Sequence, residues 1–187
     1  MPKSAAATIV RTTSGAMLPI PSLPQRELLT VNESEIPLIR NALAGGVHFK
    51  PLRLDLENGE WVVLATFEPG AEIQIHYHSG PAEVLTLKGR WNYKEYPDQP
   101  QTAGSYLYEP AGSVHTFVTP RENTEDTVLF VRVAGTNINF NEDGTFHSVL
   151  DAVTIRYLTD AMVAEQGLDE PRYIGGGAAS LTTDPKP

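Results

Sequence analysis

The sequence contains no cysteine. Disulfides and thiolate metal sites are therefore excluded, and any metal must be held by His, Asp or Glu. Positive charge is scarce. Fourteen Lys and Arg stand against 23 Asp and Glu, a net charge of −9 at pH 7. That balance argues against a phosphate backbone or an anionic membrane surface, so neither nucleic acid nor membrane is expected as a partner. Long apolar runs are missing too: none reaches the roughly 20 residues of a transmembrane helix. The short piece AAATIV is ended by Arg11, which is too short for a signal-peptide core. A cytoplasmic protein is expected.

What is present suits one globular domain with arms. The chain has 187 residues and is 41% hydrophobic, enough for a core without staples. Residues 1–25 are rich in Ser, Thr, Ala and Pro and read as an N-terminal arm; residues 171–187 read as a flexible tail. Residues 26–170 form the expected domain. Within it, FKPLRLDL alternates, and EWVVLATF is a continuous β-rich run that stops at Pro69-Gly70. In AEVLTLKG, Glu83 shares a face with Leu85 and Leu87; in RWNYKEY, Trp91, Tyr93 and Glu95 fall together. FNEDG carries an Asp-Gly turn. Many short strands at regular spacing predict a sandwich or barrel. One helix is expected near the end. Leu150, Val153, Thr154, Tyr157, Leu158, Ala161 and Met162 recur at helical spacing, with Ser148 or Asp151 as cap and Gly167 just past the end.

The chemistry concentrates in EIQIHYHSGPAEVLTLKG, residues 72–89. Strand alternation puts His76 and His78 on one face with Glu72 and Gln74, and Ile73, Ile75 and Tyr77 on the other. That apolar face needs cover from the arm, the helix or a second subunit, so a homo-oligomer is expected. Downstream, GSYLYEPAGSVH places Gly104, Pro110, Gly112 and His115 at tight spacing. A Pro-x-Gly turn folds the second strand back and aims His115 at the same interior.

These two stretches resemble the two cupin motifs. Gly70, His76, His78, Glu83 and Gly89 lie on the first; Gly104, Pro110, Gly112 and His115 lie on the second. The usual pattern sets an acid four or five residues after the second His and seven before the Gly. Here Glu83 is five after His78 but six before Gly89, and Thr119 replaces the Asn that ends the second motif. Over about residues 45 to 170 the chain looks like small single-domain cupins related to 2,4'-dihydroxyacetophenone dioxygenase and, more distantly, to acetylacetone-cleaving dioxygenase. The resemblance implies an all-β cupin jelly-roll barrel with a three-His iron centre and no tightly bound carboxylate.

It also implies roles. His76, His78 and His115 would be the metal ligands. Three neutral imidazoles suit Fe(II), with Zn, Ni, Cu or Mn as alternatives. Glu83 is a ligand, an orienter of an imidazole, a base, or an exposed acid. Glu109 either hydrogen-bonds near the site or ends its strand in water. Gln74, Trp91, Tyr93 and Phe117 share inward parity and either line a cavity or fill the core. His48 and His147 lie off the motifs and read as surface or cap residues. The expected activity is dioxygenase cleavage of a carbon–carbon bond in a small chelating carbonyl compound, an α-hydroxyketone or β-diketone. A non-catalytic metal-sensing cupin, or an isomerase or decarboxylase, is the alternative.

Overall fold

The computed structural model describes residues 8–22 and 29–176. The chain divides into a unit ending at Thr30 and a larger one from Val31 onward. In the first, β1 (Thr8–Arg11) and β2 (Met17–Ser22) form an antiparallel hairpin. Its turn is closed by Gly15 N–H donating to Thr12 O and by the Arg11 guanidinium donating to Gly15 O at 2.8 Å. The segment read as an arm thus contains local structure; residues 1–7 and 23–25 of it lie outside the described residues.

The larger unit starts with a one-turn 3-10 helix at Glu33–Glu35. Strands follow as β3 (Ile39–Ala44), β4 (Val47–Asp55), β5 (Glu60–Phe67), β6 (Glu72–His78), β7 (Ala82–Lys88), β8 (Arg90–Tyr93), β9 (Gln101–Thr102), β10 (Tyr106–Glu109), β11 (Val114–Val118), β12 (Thr127–Ala134), β13 (Asn137–Phe140) and β14 (Phe146–Leu150). Helix α1 (Ala152–Gln166) and β15 (Ile174–Gly176) complete it. One sheet runs β10-β7-β12-β5-β4-β15, with β3 on β4; the other runs β14-β13-β6-β11-β8-β9. One buried cluster draws on both, from Trp61, Val63 and Leu129 on the first to Trp91 and Phe117 on the second. This is a jelly-roll sandwich, the cupin architecture expected, with two sheets rather than a closed ring.

Local chemistry explains the connections. The Asp143-Gly144 turn joins β13 to β14, with Asn141 N–H donating to Thr145 O at 2.9 Å. Where β7 leaves the first sheet and β8 enters the second, Gly89 has φ +80°, and a Cβ there would lie 2.7 Å from the Thr127 Cα. Only glycine permits that crossing. The central strand β5 buries Trp61, Val62 and Val63 in succession, so it is covered on both faces as its unbroken apolar run predicts. Ile174–Gly176, inside the segment read as a tail, pairs in parallel with β4; residues 177–187 lie outside the described residues.

Three readings need correction. The helix forms with the expected caps: Asp151 accepts from Thr154 N–H at 2.8 Å, and Gly167 is left-handed. Its buried residues, however, are Ala152, Ile155 and Thr159, while Val153 and Tyr157 are exposed. Thr159 hides in the core by donating its hydroxyl to Ile155 O, so the true stripe carries a polar residue and a small one. Second, β6 does not alternate throughout. His115 faces His76, but Phe117 faces Ile73, so Gln74 and Ile75 share the place opposite Thr116. This bulge reverses the parity, and Ile73 lines the interior beside the histidines instead of forming an outer apolar face. Third, His48 is buried (2% exposed) rather than on the surface.

Candidate metal centre

The antiparallel pairing of β6 with β11 places His76 directly opposite His115, and His78 follows two residues along β6 on the same face. All three rings are buried. Their centroids form a near-equilateral triangle with sides of 4.9, 4.8 and 5.0 Å. One ring nitrogen from each lies within 4.8 Å of the others. His76 Nδ1 is 2.8 Å from the Gln74 carbonyl oxygen, which only an N–H can satisfy, so its Nε2 carries the free lone pair. The bulge therefore has a second use: it brings that carbonyl within reach of His76.

His78 Nε2 and His115 Nε2 are 3.1 Å apart. Two nitrogens each about 2.1 Å from one ion, at roughly a right angle, stand about that far apart. Burial pushes the His76 imidazole below its usual range and takes His78 down to about 4, against the pull of Glu109, so these two rings are neutral near pH 7. Three converging ring nitrogens fit a transition-metal ion.

The acid of the site is Glu109. It is 4% exposed, with Oε2 3.0 Å from His78 Nε2 and 3.5 Å from His115 Nε2. Tyr93 donates its hydroxyl to the other carboxylate oxygen, and the Tyr93 ring stacks on His115 with centroids 3.8 Å apart. Burial alone would raise the Glu109 carboxyl. Hydrogen bonding to His115 and the nearby imidazoles outweigh it and keep Glu109 below the usual carboxylate range. Tyr93 is pushed well above the usual phenol range, by burial first and then by Glu109, so it stays a donor. A buried carboxylate therefore stands beside two of the three imidazoles, where the cupin resemblance implied no tightly bound one.

Glu83 is elsewhere. Ala82, Val84 and Thr86 face the interior, and Glu83 shares the outer face with the exposed Leu85 and Leu87. There it pairs with Arg132 at 2.6 Å, and Arg132 also bridges to Glu60. The readings of Glu83 as ligand, orienter or base are corrected; it is an outer-surface ion-pair partner. Parity placed Glu83 with two leucines, but that leucine pair points to solvent.

Trp91, Tyr93 and Phe117 line the inner cavity and also belong to, or pack against, the buried core; Gln74 does not line the cavity, since the bulge turns it outward. The cavity measures about 100 Å³ and is walled by apolar side chains including Trp61, Phe67 and Leu129. Sequence reasoning missed two residues. Asn137 is paired with His78 across the β13–β6 ladder and lines the cavity. Its Oδ1 and the His78 Nδ1 are the buried side-chain atoms without a hydrogen-bond partner among the described residues. Glu95 accepts from both the backbone N–H and the hydroxyl of Thr116, which fixes the strand beside His115. Its grouping with Trp91 and Tyr93 was the available signal. His147 is exposed, as read.

Comparison with known proteins agrees with this architecture. Residues 27–136 match the ChrR Cupin-like domain family. A crystal structure of a Ralstonia eutropha protein of unknown function with a cupin-like fold is 39% identical; the match covers 87% of this chain and all of that one, with a TM-score of 0.81. An RmlC-like cupin from the same organism is 26% identical over 76% of this chain and 90% of that one, with a TM-score of 0.69. An acetylacetone dioxygenase from Acinetobacter johnsonii shares the fold, at 17% identity over 75% of this chain and 95% of that one and a TM-score of 0.62. No curated protein matches the sequence. Among the described residues no helix is long and apolar enough to cross a membrane.

Proposed function

The chain belongs to the ChrR Cupin-like domain family, and on that footing we propose that it is a metal-dependent dioxygenase that cleaves a carbon–carbon bond in a small chelating carbonyl compound. The observation that carries the reading is the convergence of three buried imidazoles, with one buried carboxylate beside them, at the wall of an apolar cavity. His76, His78 and His115 are the ligands, with Fe(II) the metal this donor set suits best for oxygen chemistry. When bound, the metal supplies a Lewis acid for the two substrate oxygens and a redox centre for dioxygen.

The chain's own groups do the rest. The apolar wall excludes water and leaves few alternative poses for the substrate. Glu109 is ionised beside the imidazoles, so it can take the proton released when an α-hydroxyketone or β-diketone becomes its enolate. Tyr93 orients that carboxylate through its hydroxyl and braces His115 through its ring. The cavity is smaller than the roughly 150 Å³ apolar space that accepts benzene, which favours a compact β-diketone head over a bulky one. The fold shared with acetylacetone dioxygenase accords with this reading.

The protein is further read as a cytoplasmic homo-oligomer. Leu85, Leu87, Tyr106 and Tyr108 are the exposed apolar groups at the β7–β10 edge that an assembly would cover, and light scattering tests this.

The decisive experiment is metal analysis of anaerobically purified protein, followed by oxygen uptake with labelled dioxygen. The Fe(II) form should consume about one dioxygen per molecule of β-diketone or α-hydroxyketone, with both atoms in the products, and the Zn form none. Tight zinc with no uptake for any chelating ketone would replace this reading with a metal-binding cupin without turnover.

A further inference from the structure

We infer that a groove between β3, β14 and α1 is the mouth of the inner cavity, and that Leu43, Ile73 and Leu150 form the gate between them. The groove encloses about 380 Å³, and its walls include Gln74, His147, Thr154 and Leu158. Leu43, Ile73 and Leu150 line both the groove and the cavity that holds His76, His78 and Glu109. A side chain that faces two neighbouring spaces is the partition between them. These three come from β3, β6 and β14, so the partition is a collar of aliphatic groups rather than continuous backbone.

The geometry of β3 gives the collar one adaptable member. β3 pairs with β4 only at Ile39 opposite Phe49 and Ala44 opposite Val47, so the residues between bulge outward. Asn41 has φ +52° at this bulge. It is pinned from several sides. The buried His48 ring accepts from Asn41 N–H at 3.0 Å, and Asn41 Oδ1 accepts from Gly46 N–H at 2.9 Å. At the end of α1 the Gln166 amide bonds both the N–H and the C=O of Arg40. Leu43 lies just beyond these anchors, half-exposed. Leu150 is held more firmly, one residue before the Asp151 cap of α1. A bonded bulge fixes where Leu43 starts and leaves its side chain free to swing between rotamers.

The collar also bears on substrate class, and here the inference rests on the proposed function. The inner space is too small for a ring, while the groove beyond the gate is several times larger. The fitting ligand has a chelating head of a few atoms inside and an apolar arm that passes the collar to lie along the groove.

The chain's two tryptophans, Trp61 and Trp91, are both buried and both line the cavity, so their fluorescence reports on what enters it. The test is acrylamide quenching of the metal-free full-length protein, which needs neither metal nor substrate. Wild type should quench weakly. Leu43→Ala and Leu150→Ala should raise the quenching constant severalfold, and Leu43→Phe should lower it. Val133→Ala, which trims a residue that lines the cavity but not the groove, should leave it near wild type. Far-UV circular dichroism screens for folding, and Leu43→Phe, at a half-exposed position, keeps the test valid should an alanine variant unfold. Equal quenching in Val133→Ala and the collar variants, or no change in the collar variants, overturns the gate. Such a failure leaves the dioxygenase reading standing, whereas intact gating without oxygen uptake removes only that reading.

Discussion

Glu109 on β10 and Ala82 on β7 are directly paired across the first sheet, and both are buried. Ala82 stands four residues after His78 and seven before Gly89, the position where the cupin pattern puts its acid. The carboxylate in this protein comes instead from the neighbouring strand, at the paired position. Glu109→Gln is therefore expected to weaken metal affinity by roughly 10- to 100-fold with little change in fold. Ala82→Glu should destabilise the protein by burying a second carboxylate beside the first. Combining Ala82→Glu with Glu109→Ala should recover much of the metal affinity. Metal titration and thermal melts check all three, and a double variant no better than Glu109→Ala would sink the exchange.

Replacement of His76, His78 or His115 by Ala should each remove most bound metal, and His147→Ala should remove none. His48→Ala should keep the metal but lower stability by roughly 1–3 kcal/mol, since it leaves the Asn41 N–H unpaired behind a buried ring. Elemental analysis beside denaturant unfolding separates the two kinds of loss.

Asn137 carries a buried oxygen without a partner among the described residues, and His78, paired with it across the ladder, carries an imidazole nitrogen in the same condition. Asn137→Leu removes an unsatisfied polar group, so stability should hold or rise. Ligand binding in the cavity should fall, because Asn137 is one of the few polar residues of its lining. A variant both less stable and fully able to bind would contradict this placement.

Asp55 accepts two hydrogen bonds from Asn58 and pairs with Arg53 at 3.1 Å, and these contacts, Asn58 first, hold its carboxyl below the usual 3.8. The unfolded chain then binds the proton more readily than the folded one. Asp55 contributes stability above pH 3.8 and loses it as pH falls through the folded value. Asp55→Asn should melt earlier than wild type at neutral pH, and the gap should close as pH falls below 3.8 and through the folded value. A gap independent of pH would mean that the charge is immaterial.

β1, β2 and β15 lie in segments read as arm and tail, whereas most strands of the domain, the caps of α1 and the His-x-His pair with His115 were legible in the sequence. Those features depend on local spacing: a His-x-His pair shares a strand face, Asp151 and Gly167 satisfy helix ends, and Pro110 with Gly112 makes a turn. The tertiary structure decided which faces point inward. Period-two alternation groups Glu83 with Leu85 and Leu87 but does not say that the group faces water, and one residue of register separates Ala82 inside from Glu83 outside. The bulge at Gln74 and Ile75 reverses parity within a single strand, which sends Gln74 out and brings Ile73 to the gate. Glu109 enters the centre because β10 pairs with β7, a contact between residues more than twenty apart that no local pattern encodes.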